Sequence, residues 1–137
     1  MREILFRGKN IDTGEWVHGI AFPHDGGRCT LTYRNPKDGS LECREVDLDT
    51  VGQYTGINDK DGARIYEGDI LQARLDDRYP DSVTTCVVEW HTDPHIGWFI
   101  RQAGRACKPD PLDKFDSKYW EIVGNIHDNP DMLERKA

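Results

Sequence analysis

The feature that most constrains this fold is a two-residue alternation of apolar and polar side chains between turn-forming segments. In residues 28–34, Cys29, Leu31 and Tyr33 alternate with arginines and threonines. That period is typical of a half-buried β-strand, because successive side chains of a strand point to opposite faces. No helical period is sustained over ten residues anywhere in the chain. The alternation therefore favours β-structure over helices.

Further strand-like segments lie at residues 4–7, 15–22, 41–48, 70–75, 86–90, 97–101 and 123–126. One face of segment 15–22 carries Trp16, His18, Ile20 and Phe22. Turn compositions separate the strands, and seven or eight short strands favour a mostly-β barrel or sandwich. Short helical turns are predicted at 47–52, capped by Asp49 or Thr50, and from Pro130. Residues 102–119 fit either a loop or a helix.

The composition fits one small folded domain with generous loops. The chain has 137 residues, enough to bury a core, and its four Trp, five Tyr and four Phe are typical of folded chains. We predict a single domain over residues 1–137. It divides into an N-terminal β part (1–50), a connector (51–69) and a C-terminal part (70–137).

The charge argues against a nucleic-acid partner. The chain has 25 acidic and 18 basic residues, a net charge of −7, so on average it repels phosphate backbones. Two local basic clusters are interpreted as solvated surface, one early and one late in the chain: Arg2, Arg7 and Lys9, then Arg101, Arg105 and Lys108.

The cysteines and the N-terminus predict a cytoplasmic protein with reduced thiols. Cys29, Cys43, Cys86 and Cys107 form no C-x-x-C pair. The first residues are charged and lack the apolar region of a signal peptide. No apolar run approaches the roughly 20 residues that span a bilayer, so no membrane partner is expected.

The stretch VGQYTGINDKDGARIYEGDIL, residues 51–71, resembles a calcium loop but fails its chemistry. With Gly62 as the required glycine, Asp59 and Asp61 fall at the third and fifth ligand positions. The first position is Ile57 and the twelfth is Gly68, which offer no side-chain oxygen. Without those ligands and without flanking helices, an EF-hand site is not predicted.

Two other sequence patterns that resemble active sites also fail. Asp12-Thr13-Gly14 spells the triplet of aspartic proteases, but its surroundings are those of a hairpin turn. His91 and His95 have the spacing of two metal ligands on a helix, but Pro94 between them disfavours a helix.

Two further histidines, His18 and His127, are interpreted as packed or solvated. There is no nucleophile elbow, phosphate loop or catalytic cysteine signature. No catalytic, cofactor-binding or metal-ligating residue is assigned, and no cofactor is expected.

The sequence motifs along the chain, taken in their order, resemble those of the YopX family. The matching segments are residues 2–9 (REILFRGK), 13–19 (TGEWVHG), 51–57 (VGQYTGI), 65–70 (IYEGDI) with Asp59 and Gly62 before it, and 120–130 (WEIVGNIHDNP). His127 departs from the pattern, since an aromatic such as Tyr is expected there. Residues 102–119 match nothing in the pattern.

The resemblance implies small bacteriophage or prophage proteins without an established activity, and a mostly-β fold. It implies an SH3-like barrel in the C-terminal half. Residues 55–69 are then a structural connector, whose Asp and Asn side chains shape turns. Between Glu67 and Asp69, Gly68 is predicted to have a positive φ.

The first functional hypothesis is a non-enzymatic binding or assembly module that self-associates or binds another protein. Four tryptophans fit either the core or an interface: Trp16, Trp90, Trp98 and Trp120. Two alternatives stay open. One is a metal-assisted enzyme using His91, His95 and His127 with the acidic loops. The other is a nucleic-acid-binding module using a local basic patch.

Overall fold

The computed structural model describes residues 3–74, 78, 83–103, 108–113 and 116–133, without the side chains of 116 and 117. These residues form mostly antiparallel strands, which confirms the mostly-β prediction. The strands are β1 Phe6–Lys9, β2 Trp16–Pro23, β3 Arg28–Arg34, β4 Leu41–Asp47, β5 Gly52–Asn58, β6 Arg64–Tyr66, β7 Asp69–Arg74, β8 Val83–His91, β9 Gly97–Gln102, β10 Asp110–Pro111 and β11 Glu121–Asn125. Short 3₁₀ turns lie at Leu48–Thr50, Asp116–Tyr119 and Pro130–Leu133.

The chain divides into two compact units, Met1–Gly56 and Ile57–Ala137. In the first unit the strand order is β4-β3-β2-β1-β5, and neighbouring strands are antiparallel. Its core is formed by Cys29, Leu31 and Val46, which are fully buried. Phe6, Val17, Ala21, Leu48 and Val51 pack against them. The alternation of residues 28–34 thus predicted the buried face of β3 correctly.

Strand β2 turns its bulkier face outward. Trp16, His18, Ile20 and Phe22 do share one face, but Val17 and Ala21 on the opposite face contact the core. Ile20 is 46% exposed and Phe22 is 52% exposed. Because β2 is apolar on both faces, its sequence alone does not say which face the core will bury.

In the second unit the order is β10-β9-β8-β7-β11, again antiparallel, and the end of β5 continues into a pairing with β6. Its core is formed by Ile65, Leu71, Ala73, Cys86, Val88, Leu112 and Trp120. Within the described residues neither sheet closes into a barrel, so the SH3-like barrel expected in the C-terminal half is not confirmed.

Part of the predicted connector is strand. Residues 52–58 and 64–66 form β5 and β6. The sequence did not predict β5 because it contains glycines, which are depleted in strands. The strand forms because it pairs with β1, where the Tyr54 N–H donates to the Leu5 carbonyl at 2.8 Å. The cap of the Leu48–Thr50 turn is Asp47, not Asp49 or Thr50, because the Asp47 carboxylate accepts the Asp49 N–H at 3.0 Å.

Candidate functional site

The acidic stretch that resembles a calcium loop uses its buried carboxylate to bind backbone. Asp59 is 8% exposed. Its Oδ1 accepts the N–H groups of Asp61 and Ala63, each at 2.9 Å, and its Oδ2 accepts the N–H of Ile122 at 3.1 Å. One side chain thereby ties the turn before β6 to the start of β11. Both oxygens serve the fold, as the structural interpretation of this stretch predicted.

The second turn of the stretch also uses a buried carboxylate to accept a backbone N–H. Asp69 is 1% exposed, and its Oδ2 accepts the Tyr66 N–H at 2.7 Å. Gly68 has φ of +86°, which confirms the prediction of a positive φ. Its N–H donates to the Val88 carbonyl and its carbonyl accepts the Ile126 N–H, both at 2.9 Å. The turn is therefore bound on both sides by backbone hydrogen bonds.

The triplet Asp12-Thr13-Gly14 forms the β1–β2 turn. The Asn10 Oδ1 accepts the Asp12 N–H at 2.8 Å and the Thr13 N–H at 3.3 Å, and the Gly14 N–H donates to the Asn10 carbonyl at 2.9 Å. The triplet is exposed on all three residues. A protease aspartate needs a dry site with a second aspartate, and the exposed turn does not provide it.

The histidines of the enzyme hypothesis lie in three different settings. His91 is the last residue of β8, with its Nε2 3.1 Å from the Glu89 Oε1 and its ring stacked on Phe99 at 4.9 Å. His95 lies in the exposed β8–β9 loop, and His127 follows β11. Among the residues that the structure describes, no three His, Cys, Asp or Glu side chains are grouped to hold a metal ion.

The thiols within the described chain are free, and two are poor nucleophiles. Cys29, Cys43 and Cys86 form no disulfide, and Cys107 lies outside the described residues. Burial raises the pKa of Cys29 above its usual value. Burial, followed by the nearby charge of Asp110, raises the pKa of Cys86 to about 11. Thiols of this kind stay protonated at neutral pH and react slowly.

The four tryptophans divide between core and surface. Trp120 is buried in the second unit's core, and Trp98 packs against that core. Trp16 is half-buried, and the Arg7 and Lys9 side chains lie over its ring at 4.7 and 5.5 Å from the centroid. Trp90 is 47% exposed. The core interpretation is therefore confirmed for Trp120, and the interface interpretation stays a prediction for the exposed Trp90.

Three described members of the predicted basic clusters contact other side chains. Arg7 and Lys9 contact Trp16, and the Arg101 Nε donates to the Glu89 Oε2 at 3.1 Å. Lys108 is exposed. The two other members, Arg2 and Arg105, lie outside the described residues.

The strongest candidate surface is the outward side of β1–β4, which we call the outer face. Its centre is the β2 row of His18, Ile20 and Phe22. The β1 side carries Arg7 and Lys9, opposite His18 and Trp16. The β4 side carries Leu41, Cys43, Glu45 and Asp47, in register with the outward residues of β3. The apolar row of β2 thus lies between the basic side chains of β1 and the carboxylates of β4, and β1 and β4 meet at one end through the Asn10–Val46 bridge.

The basic side chains of β3 offset the negative charge of the carboxylates on β4. The Arg28 Nη1 lies 3.3 Å from the Glu45 Oε1, an exposed ion pair, and the Arg34 Nη1 donates to the Gly39 carbonyl at 2.9 Å. Asp47 faces Arg28 in the register. The β3–β4 side is therefore close to neutral, whereas the β1 side is basic.

A cleft of about 440 Å³ opens where β2 and β3 separate, because their pairing starts only at Ile20 and Thr32. Its lining includes Trp16, Tyr33 and Arg44. A volume of this size suits a small ligand or a peptide side chain.

Two side chains that line the cleft, Tyr33 and Arg44, contact each other and the nearby Glu42. The Arg44 guanidinium lies 5.9 Å from the Tyr33 ring centroid, and its Nη2 is 3.5 Å from the Glu42 Oε2. The hydrogen bond to Glu42 is the main cause that raises the pKa of Tyr33, so its hydroxyl stays protonated. Such a cleft can hold a ligand by contact, but it presents no activated nucleophile.

Sequence reasoning missed Tyr33 and Arg44 as cleft residues. Tyr33 looked like one more buried residue of an alternating strand, and Arg44 carried no signal at all. The signal for the outer face was present, since Trp16, Ile20 and Phe22 alternate with Val17 and Ala21, so both faces of β2 are apolar. No helix in the described part of the chain is long and apolar enough to cross a membrane.

Comparison with known proteins identifies a family and a fold. A family model described as YopX protein matches residues 5–134. The crystal structure of protein EF1440 from Enterococcus faecalis superposes with a TM-score of 0.61 at 19% identity, covering 98% of this chain and 100% of that one. At this identity the likeness concerns the fold alone. A search of curated proteins finds no match.

Proposed function

We propose that this chain, which belongs to the YopX protein family, is a non-enzymatic binding and assembly module that self-associates through the outer face. The observation that carries the proposal is the row of His18, Ile20 and Phe22, which points away from the core. The family resemblance adds a bacteriophage or prophage origin to the proposal, and the unpaired spacing of the cysteines adds a cytoplasmic location.

The non-enzymatic part rests on how the polar side chains are used. Asp59 and Asp69 bind backbone N–H groups, and Arg44 pairs with Glu42. A catalytic site needs a base or nucleophile aimed at a reacting atom. The groups best placed in this fold are instead committed to turns and to one another.

A second copy of the chain fits the outer face through its apolar row. When two copies stack with a two-fold axis along the strands, the β1 side of one lies over the β4 side of the other. The apolar rows of the two copies then meet near the centre, on their β2 strands. Stacked sheets pack about 10 Å apart in this way.

The energy of such a pairing is modest. Burying the exposed part of Ile20, Phe22 or Leu41 is worth about 1 kcal/mol for each side chain. Six such side chains in two copies contribute roughly 6 kcal/mol, which association costs of at least 4 kcal/mol largely offset. A weak, concentration-dependent dimer is therefore expected.

Sedimentation velocity over a wide range of protein concentration tests the proposal. The average mass of the parent should rise with concentration, while Ile20→Lys should remain a monomer because it places a charge in the apolar row. Val83→Lys is the matched control, since Val83 is 43% exposed but lies at the start of β8 in the second unit. A parent that stays monomeric, or an Ile20→Lys variant that associates like the parent, contradicts the proposal.

A further inference from the structure

The end of the β8–β9 hairpin carries a pair of tryptophans that the second unit's core leaves partly uncovered. Trp90 and Trp98 are directly opposite in the register, so both side chains lie on the same face of the sheet. Their ring centroids are 4.9 Å apart at an interplanar angle of 66°, an edge-to-face contact. The hairpin fixes two large aromatic rings at one place on the surface.

This tryptophan surface is the continuation of the core-facing row of β8 and β9. Cys86, Val88 and Ile100 precede it on that face and belong to or pack against the buried cluster. Trp98 still packs against the cluster, but Trp90 is 47% exposed. Nearby in the loop, Ile96 is 76% exposed. The apolar row therefore extends beyond the side chains that cover it.

The charges around the tryptophan surface are mainly negative. Asp93 lies in the loop, and Asp110 on β10 lies opposite Ile100. The charge of Asp110 acts on Cys86, so its carboxylate is close to the face that holds Trp98. The hairpin's cation, Arg101, faces the other side and binds Glu89 there, while Lys108 precedes β10.

The net charge of the whole second unit is also negative. Residues 57–137 contain 16 acidic and 11 basic residues, a net charge of −5. Phosphate-bearing partners, both nucleic acids and anionic lipid surfaces, are repelled by this field. A second copy of the same surface would bring like charges together, so self-pairing at this place is also disfavoured.

We propose that the Trp90–Trp98 surface is a docking site for an extended, positively charged peptide segment of another protein. A lysine or arginine of that segment lies over the exposed Trp90 ring, since tryptophan is the best aromatic partner for a cation. Asp93 and Asp110 attract its other cations, and Ile96 contacts apolar parts of the segment. This inference uses a surface different from the outer face and does not depend on self-association.

The test uses an unstructured synthetic peptide of serine and proline with interspersed arginines, and the same peptide with glutamates in their place. Titration of the full chain is followed by isothermal calorimetry. The arginine peptide should bind and the glutamate peptide should not. Trp90→Ala should weaken binding about five-fold, the effect of losing one exposed cation–π contact.

Phe22→Ala is the matched control, because Phe22 is an aromatic of similar exposure on the outer face. It should leave peptide binding unchanged, so a failure of self-association and a failure of this site are seen separately. Indole N–H signals of the parent in NMR give a readout that needs no variant. Those of Trp90 and Trp98 should shift with the arginine peptide, and that of Trp16 should not.

Three results would overturn the proposal. The first is no binding of the arginine peptide at low salt, and the second is equal binding by parent and Trp90→Ala. The third is an indole signal of Trp90 that does not move at saturation. Binding that depends on charge alone would give the second and third results.

Discussion

The turn at Gly68 offers the sharpest test of how the acidic stretch folds. Gly68 has φ of +86° between the buried residues Tyr66 and Asp69. A Cβ added there would lie 3.3 Å from Ile126 Cγ1 and 3.5 Å from its Cδ1. Gly62 has nearly the same φ, +84°, but nothing lies within 4 Å of its added Cβ. The two glycines separate backbone strain from crowding.

The expected losses follow from those two terms. A β-branched residue in the left-handed region costs about 1–3 kcal/mol, so Gly62→Val should lose about that much. Gly68→Val adds the overpacking of Ile126, worth another 1–3 kcal/mol or so. Its total of roughly 2–6 kcal/mol is a large share of the ~5–15 kcal/mol that stabilises a typical domain. Asp61→Asn should cost little, because Asn serves the same turn chemistry.

Guanidinium denaturation of the parent, Gly62→Val, Gly68→Val and Asp61→Asn measures these differences, with a constant slope as the check on two-state unfolding. The expected order of stability is parent, then Asp61→Asn close to it, then Gly62→Val, then Gly68→Val. A Gly68→Val variant as stable as the parent would refute the positive-φ account of the turn. Equal losses at the two glycines would refute the crowding at Ile126.

Two further predictions concern buried groups. Asp59→Ala should lower the free energy of unfolding in denaturant melts by on the order of 3 kcal/mol, because three backbone N–H groups lose their acceptor. Replacing the exposed Asp61 by Ala should lower it by less than about 0.5 kcal/mol. Equal losses in the two variants would contradict the role of Asp59. The folded chain holds the proton of Cys86 more tightly than the unfolded chain, since its pKa is raised from 9.0 to about 11. The free energy of unfolding should therefore fall as pH rises from about 9 towards about 11, and less steeply in Cys86→Ala. Parallel pH profiles of the two proteins would count against it.

Much of the sheet could be predicted because strands with one buried face show it in their spacing. Residues 28–34 are the same strand in the sequence and in the structure, and the strands predicted at 86–90 and 97–101 lie within β8 and β9. β5 and β6 were missed because their glycines and acidic neighbours resemble turns. Their pairing comes from β1 and from each other, which no local pattern reports.

The candidate surfaces were harder to predict than the strands. Trp90 and Trp120 look alike in the sequence, but only the packing around them leaves one exposed and buries the other. The Tyr33–Arg44 cleft depends on β2 and β3 separating before Ile20, which is a property of the pairing rather than of any motif.

By itself, the sequence determined the β class, the turn chemistry around Gly62 and Gly68, and the family, because these depend on local spacing and residue type. The tertiary structure decided which face of β2 is buried, and it made Asp59 an acceptor for Ile122, 63 residues away. It also decided that neither described sheet closes into a barrel. A strand with two apolar faces has two nearly equivalent ways to pack, and only contacts distant in sequence choose between them.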